Sequence, residues 1–335
     1  MTSNLVTVVI PTYNRPEFLQ EALVSVLAQD YPHFDVLVVD DASSYDVASI
    51  LDHFDDPRVS LHRQPRNLGY IRNSRWALCA PRTRYVAILE DDCIWLPHHL
   101  GQAVAALERY STAPLYCCTT QDFGEGKHSI QKPHWSRATT LELCDWRETG
   151  FGVWLLKGVP MCVSSVVVRR RALDDLFWGG KTWPCYQDYL WWGQLALKGA
   201  FVYEPSLGVK YRWHDSNVTH SFGRASTRTM AQWRFTMRFL ASRAYALGGL
   251  HDLAEETRDF PLAALGNLIV ALAAPETPRG LSRQAHEIFR SRPDLARTPD
   301  CTTLYRLAAR LGDWALTYGD LAGRLAARWW PITAL

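Results

Sequence analysis

The first 120 residues alternate short, unbroken apolar runs with stretches of helical periodicity, and three of the runs end in clustered polar or acidic residues. Residues 5–10, LVTVVI, close on Pro11-Thr12-Tyr13-Asn14. A run of this kind predicts a parallel strand buried on both faces. Residues 17–28 place Phe18, Leu19, Ala22, Leu23, Val26 and Leu27 at the spacing of one helical face. Residues 36–39 form a second apolar run ending in Asp40-Asp41, and Ser44 or Asp46 can cap a helix over 47–54. Residues 59–63 predict a third strand and 70–79 a helix. Residues 85–89 predict a fourth strand, ending in Glu90-Asp91-Asp92. Pro97 suits the first turn of a helix through Leu107, and residues 115–120 predict a fifth strand. Strand and helix in strict alternation imply an α/β domain with a Rossmann-like, mostly parallel, doubly wound sheet. Ligands of such sheets bind beyond the carboxyl ends of the strands, where Asn14, Asp40, Asp41, Asp91 and Asp92 all fall.

The pattern then loosens. Residues 121–160 are irregular and rich in Trp, His and Thr, followed by a predicted strand at 163–168 and a short helix at 171–176. A helix at 188–198 and strands at 201–203 and 210–213 complete this part. From about Arg224 onward only helical patterns remain, over 226–248, 262–273, 281–290 and 302–329. That tail carries 15 Arg and no Lys against ten Asp or Glu. The composition shift places a domain boundary near 222, with an all-α region over 223–335.

Charge and cysteine usage narrow the function classes. A formal net charge of +2 over 335 residues, with no Lys/Arg run, argues against a nucleic-acid partner. The residues before the first strand lack a basic leader, and residues 261–275 are too short an apolar stretch to span a bilayer. The eight cysteines show neither CxxC nor Cys/His metal spacing, which predicts reduced thiols in a cytoplasmic protein.

Several polar groups suit phosphate and sugar chemistry. Adjacent acids at a strand end point opposite ways, so one of Asp91 and Asp92 can reach a divalent cation while the other reaches a sugar or ribose; a solvated turn or a helix cap is the plainer role. Mg²⁺ and Mn²⁺ favour such carboxylates together with substrate phosphates. Asp40-Asp41 can accept from a base or a ribose, or build an Asx turn. Asn67, Gly69 and Arg72 open the 70–79 helix, whose leading N–H groups attract anions. Asp188 starts a Trp-rich helix, where it either complements the helix dipole or serves as a general base. Trp183, Tyr186, Trp191 and Trp192 can stack on a sugar or fill core, and His214, after the 210–213 run, can ligate a metal or sit in a loop.

Taken together, VTVVIPTYNRPEFLQEALVSVLAQDYP, VLVVDDAS, RNLGYIRN, YVAILEDD, YQDYLWWGQLALKG and YRWHDSN make residues 5–219 resemble the family 2 glycosyltransferases of the GT-A fold. The resemblance implies a catalytic domain over 1–222, with the nucleotide-sugar side in 1–120 and the acceptor side in 121–222. It implies that Pro11, Thr12, Tyr13, Asn14, Asp40, Asp41, Asn67, Arg72 and Asp91 bind a nucleotide diphosphate sugar, most commonly with uracil as base. Asp92, with His214, would hold Mn²⁺ or Mg²⁺, and Asp188 would be the catalytic base of an inverting transfer. Trp183, Tyr186 and Trp191 would face the acceptor. The family often has Glu-Asp where this chain has Gln187-Asp188, an Arg where it has Gln194, and a glycine-rich segment where it has residues 158–165.

The acidic metal motif on an α/β fold also suits a nucleotidyltransferase, but no Gly-rich, Lys/Arg-bearing phosphate loop follows the first strand. The Gln187 and Gln194 departures suit a sugar-nucleotide-binding scaffold without catalysis, against which Asp91, Asp92 and Asp188 stand together. The Arg-rich tail, ending near Arg328-Trp329-Trp330, suits a helical cap, a homodimer interface, an acceptor-binding module or a peripheral contact with the inner membrane face.

Overall fold

The computed structural model describes residues 5–126, 128–131, 138–145, 161–174, 176, 178, 187–196, 198–215 and 217. The chain divides into two compact units: Met1–Asp145, Pro160–Thr182 and Lys198–His220 in the first, and Trp146–Val159, Trp183–Leu197 and Ser221–Leu335 in the second. The helices expected beyond residue 224, and the boundary expected near 222, lie outside the described residues.

The first unit is built on one mixed sheet. Its strands are β1 (Val6–Thr12), β2 (Phe34–Asp40), β3 (Val59–Arg63), β4 (Tyr85–Ile88), β5 (Cys93–Trp95), β6 (Leu115–Phe123), β7 (Ile130–Gln131), β8 (Glu142–Cys144), β9 (Val167–Arg169) and β10 (Phe201–Arg212). Their order is β3-β2-β1-β4-β9-β6-β10-β5, with β7 on β6 and β8 on β10. The long pairings, β1 with β2 and β4, β2 with β3, and β6 with β10, are parallel. Antiparallel pairings span two or three residues each. The short β9 runs antiparallel between β4 and β6, so β1, β2, β3, β4, β6 and β10 all point their carboxyl ends to the same edge.

The helices are α1 (Pro16–Leu27), α2 (Val47–Asp52), α3 (Tyr70–Cys79) and α4 (His99–Arg109). Pro16 sits at the start of α1, where its missing N–H costs nothing. Leu19, Ala22, Leu23 and Val26 of α1 bury against Val6, Val8, Ile10 and Val36 of the sheet. Asp46 caps α2 by accepting from the Ala48 N–H at 3.1 Å. All seven residues of β1 are buried, as the apolar run required.

The structure departs from the expected elements in several places. Residues 163–168 are not one strand: Val163–Ser165 is a 3₁₀ turn, and only Val167–Arg169 pairs. Its two serines explain this, because Ser165 Oγ donates to the Cys162 carbonyl at 2.8 Å and Ser164 Oγ contacts Glu90, both favouring a turn over a ladder. The expected helix at 171–176 is a 3₁₀ turn over Arg170–Leu173. Residues 201–203 and 210–212 belong to one strand, β10, interrupted by register shifts around Glu204–Leu207 and Leu207–Val209, and Trp213 lies just past its end. Pro205 falls in the first shift, where it has no N–H to give a ladder. Pro97 precedes α4 rather than opening it, and the helix starts at His99. The three-residue β5 was too short for its pattern to register; it pairs Tyr211 with Cys93 and Ile94 with Lys210.

In the second unit, α5 (Gln187–Ala196) is described. Trp191 and Trp192 are fully buried and meet edge to face at 6.1 Å.

Candidate functional site

Asp91 and Asp92 lie in the turn between β4 and β5, both buried. Thr12, the last residue of β1, donates from Oγ1 to Asp91 Oδ2 at 2.8 Å. Arg15 lies just before α1, and its Nη1 reaches Asp91 Oδ1 at 3.1 Å and Asp92 Oδ2 at 2.8 Å. His214, just beyond β10, places Nε2 3.1 Å from Asp92 Oδ2. The His214 ring also lies 4.8 Å from that of Phe18, and Asn217 Oδ1 accepts its backbone N–H at 2.7 Å. Two acids, one guanidinium and one imidazole thus share a single polar centre.

Electrostatics sort the two acids. Burial, then the neighbouring Asp92 charge, pushes Asp91 up to about 6, although Arg15 and Thr12 oppose this. Burial also works against a charged Asp92, but the His214 hydrogen bond and the Arg15 charge outweigh it and hold Asp92 below the usual carboxylate range. Burial would weaken the Arg15 cation, yet Asp91 and Asp92 more than offset that and hold its proton more tightly than usual.

A second cluster lies at the adjacent end of β2. Asp40 Oδ1 accepts the Ser43 N–H at 2.9 Å, and its other oxygen pairs with Arg63 at 2.8 Å. This is the tight acid turn, with Ala42 at φ 63°. Asp41 accepts the N–H groups of Leu68 at 2.7 Å and Gly69 at 2.8 Å. Burial raises the Asp41 pKa, and those two N–H groups counter part of the rise. Gly69 precedes α3 at φ 84°, a conformation that L side chains resist. Asn14 joins the clusters: its N–H donates to Ser43 Oγ at 2.9 Å and its Oδ1 accepts the Ser44 N–H at 2.7 Å.

Thr12, Asp91, Asp92 and His214 therefore meet directly, while Asn14, Asp40 and Asp41 form the neighbouring turn. Pro11 is buried within β1; Tyr13, Asn67 and Arg72 are exposed. Asp188 is half-buried in the first turn of α5, in the second unit. Trp183 and Tyr186 lie outside the described residues, and Trp191 is fully buried. Sequence reasoning missed Arg15. The residue stands next to Asn14, but no local pattern signals that its side chain spans to acids 76 and 77 positions later.

The chain is similar in sequence and in fold to known proteins. A curated relative, the succinoglycan biosynthesis protein ExoW of Rhizobium meliloti, is 38% identical over 109 residues, covering 31% of this chain but only 34% of the relative. A β-1,3-glucosyltransferase of Escherichia coli, WfaP, named for UDP-Glc and a GlcNAc-diphosphoundecaprenol, is 22% identical over 64% of this chain and 80% of its own length. The fold matches that of S. aureus TarS, solved in complex with UDP-GlcNAc, with a TM-score of 0.63 at 16% identity over 96% of this chain and 91% of that one. The sequence profile of Glycosyl transferase family 2 matches residues 7–177, half of the chain, and this chain belongs to that family.

Proposed function

We propose that this protein transfers a sugar from a nucleoside diphosphate sugar to an acceptor hydroxyl with inversion, with a UDP-sugar as the donor class. The observation that carries the reading is the convergence of Asp91, Asp92 and His214 at the carboxyl edge of the sheet, beside the Asp40–Asp41 turn. The family and the relatives named for UDP-sugars support it.

The residues present fit a divalent cation. Asp92 Oδ2 and His214 Nε2 stand 3.1 Å apart. Adjacent ligands of an octahedral ion with bonds near 2.1 Å are separated by about 3 Å. An acid and an imidazole leave the other positions to substrate phosphates and water, the arrangement Mg²⁺ favours, and Mn²⁺ takes the same oxygen-rich set. When bound, such an ion supplies charge neutralisation to a diphosphate leaving group.

The chain's own residues do the rest. Asp92 and His214 hold the ion. Asp91, beside them, accepts from a ribose or sugar hydroxyl. Asp41 and its turn bind the base side, and Thr12 fixes Asp91. Asp188 removes the proton of the acceptor hydroxyl as it attacks the anomeric carbon opposite the diphosphate.

A panel of nucleotide sugars in a thermal-shift assay, each with and without Mn²⁺, tests the reading, with product analysis for any donor that shifts. Saturation at 100 times the dissociation constant adds roughly 2.7 kcal/mol of stability. A metal-dependent shift with a UDP-sugar and release of UDP support transfer. Release of pyrophosphate would make the protein a nucleotidyltransferase, and no shift with any donor in folded protein would remove the donor-site reading.

A further inference from the structure

Beside the acid pair lies a set of side chains of different chemical character. Glu90 follows β4, Cys93 opens β5, and Cys162 precedes the Val163–Ser165 turn. Their ligand atoms, one carboxylate oxygen and two sulfurs, all lie within 4.8 Å of one another. Cys93 is buried, whereas Glu90 and Cys162 are half-buried, so the set is closed on one side and reachable from the other.

The framework around them is fixed. Tyr70 Oη donates to Glu90 Oε1 at 2.7 Å, and Ser164 Oγ lies 3.4 Å from Oε2 while accepting the Glu90 N–H at 3.0 Å. The Ser165 N–H and hydroxyl both donate to the Cys162 carbonyl, at 3.0 and 2.8 Å. Trp95 Nε1 donates to the Ser164 carbonyl at 2.7 Å, tying the 162–165 turn to β5. Oriented carboxylates of this kind are the usual surroundings of metal ligands.

We propose that Glu90, Cys93 and Cys162 form a second cation site, selective for a soft divalent ion of the Zn²⁺ class and distinct from the Asp92–His214 centre. Thiolates select Zn²⁺-type ions, whereas Mg²⁺ and Mn²⁺ favour carboxylate and water oxygens over sulfur. Tetrahedral Zn²⁺ with bonds near 2.3 Å to sulfur and 2.1 Å to oxygen holds its ligands about 3.6–3.8 Å apart. The present spacing reaches that with a contraction of about 1 Å or less. Three protein ligands leave a fourth position for water. The site joins the acid turn after β4 to the segment that leads into β9. It also touches the donor site through one atom, because Cys93 Sγ lies 3.6 Å from Asp92 Oδ1.

Titration of the reduced, full chain with Co²⁺ tests this, since a Co²⁺–thiolate bond gives a near-ultraviolet charge-transfer band that an oxygen–imidazole site lacks. The expected result is one equivalent of band-forming Co²⁺, displaced by stoichiometric Zn²⁺ but not by millimolar Mg²⁺, and retained in Asp92→Asn. Cys162→Ser, at a half-buried position, should weaken both the band and Co²⁺ binding, since one of the two thiolates remains, while circular dichroism shows the fold intact. Glu90→Gln should keep the band but weaken Co²⁺ binding by about tenfold or more, the lower end of what outer partners of metal sites contribute. Absence of the band in the unmodified chain would overturn the proposal. A band of equal strength and affinity in Cys162→Ser would do the same, since other thiols would then be its source.

Discussion

His214 Nε2 and Asp92 Oδ2 stand 3.1 Å apart although 122 positions separate them in the chain. The contact exists because β10 crosses from β6 to pair with β5, the strand that leaves the acid turn, setting Tyr211 opposite Cys93. The loop after β10 then has only to turn back over Phe18. If the two residues hold a metal together, His214→Ala and Asp92→Asn should each weaken Mn²⁺ binding. The expected loss is on the order of 10-fold or more, since even outer partners of metal ligands are worth about 10–100-fold. Titration of Mn²⁺ followed by electron paramagnetic resonance checks this without any turnover. Wild-type affinity in both variants would dismiss the pair as ligands.

Arg15 bridges two buried carboxylates, so Arg15→Ala leaves both without their cation. Truncating one partner of a buried ion pair costs about 3–5 kcal/mol, and because Arg15 is 23% exposed the lower part of that range is expected. Urea unfolding of the variant should show this loss. Arg15→Lys should recover part of it, because a point charge can satisfy one acid but not both in the same geometry.

Asp188→Asn should lower turnover by about 10²–10⁴-fold, the usual worth of a general base. Donor binding in the thermal-shift assay should stay as in the parent protein. Turnover within threefold of the parent would assign the base elsewhere.

His99 is fully buried, and burial drops its pKa to about 3, with the His98 charge adding to the effect. The folded state keeps it neutral, whereas the unfolded chain protonates it below 6.5. Between those values the unfolded state binds the extra proton, so stability present above pH 6.5 is lost as pH falls toward about 3, at about 1.4 kcal/mol per pH unit. Asp91, raised from 3.8 to about 6, acts in the opposite sense over its own window. The readout is therefore the difference in unfolding free energy between the parent chain and His99→Gln. The parent's advantage should shrink as pH drops from 6.5 to 4; a constant difference would mean that His99 is not held neutral.

Gly208 lies where an added Cβ would come within 2.6 Å of Cys118 Sγ and 2.8 Å of His99 Nδ1. Gly208→Ala should cost about 1–3 kcal/mol through overpacking, read as a lowered urea midpoint. Because β10 carries the chain to His214, the same variant should also weaken Mn²⁺ binding.

The sequence by itself determined the order of elements and which ends of them are polar. Residues 59–63 and 70–79 form the strand and helix that their patterns predict, and the acid turns after β2 and β4 fall at the carboxyl edge. These features follow from side-chain period and burial, which are local. Only the tertiary structure decided what meets at that edge. Arg15 joins Asp91 and Asp92, His214 joins Asp92, and Asp41 holds the loop at Leu68 and Gly69 rather than facing out alone. Cys93 and Cys162, 69 positions apart, show no metal spacing in sequence yet come together beside Glu90. Each of these contacts depends on strand order and register. A three-residue strand such as β5 sets that register through backbone hydrogen bonds, which the identity of its side chains does not encode.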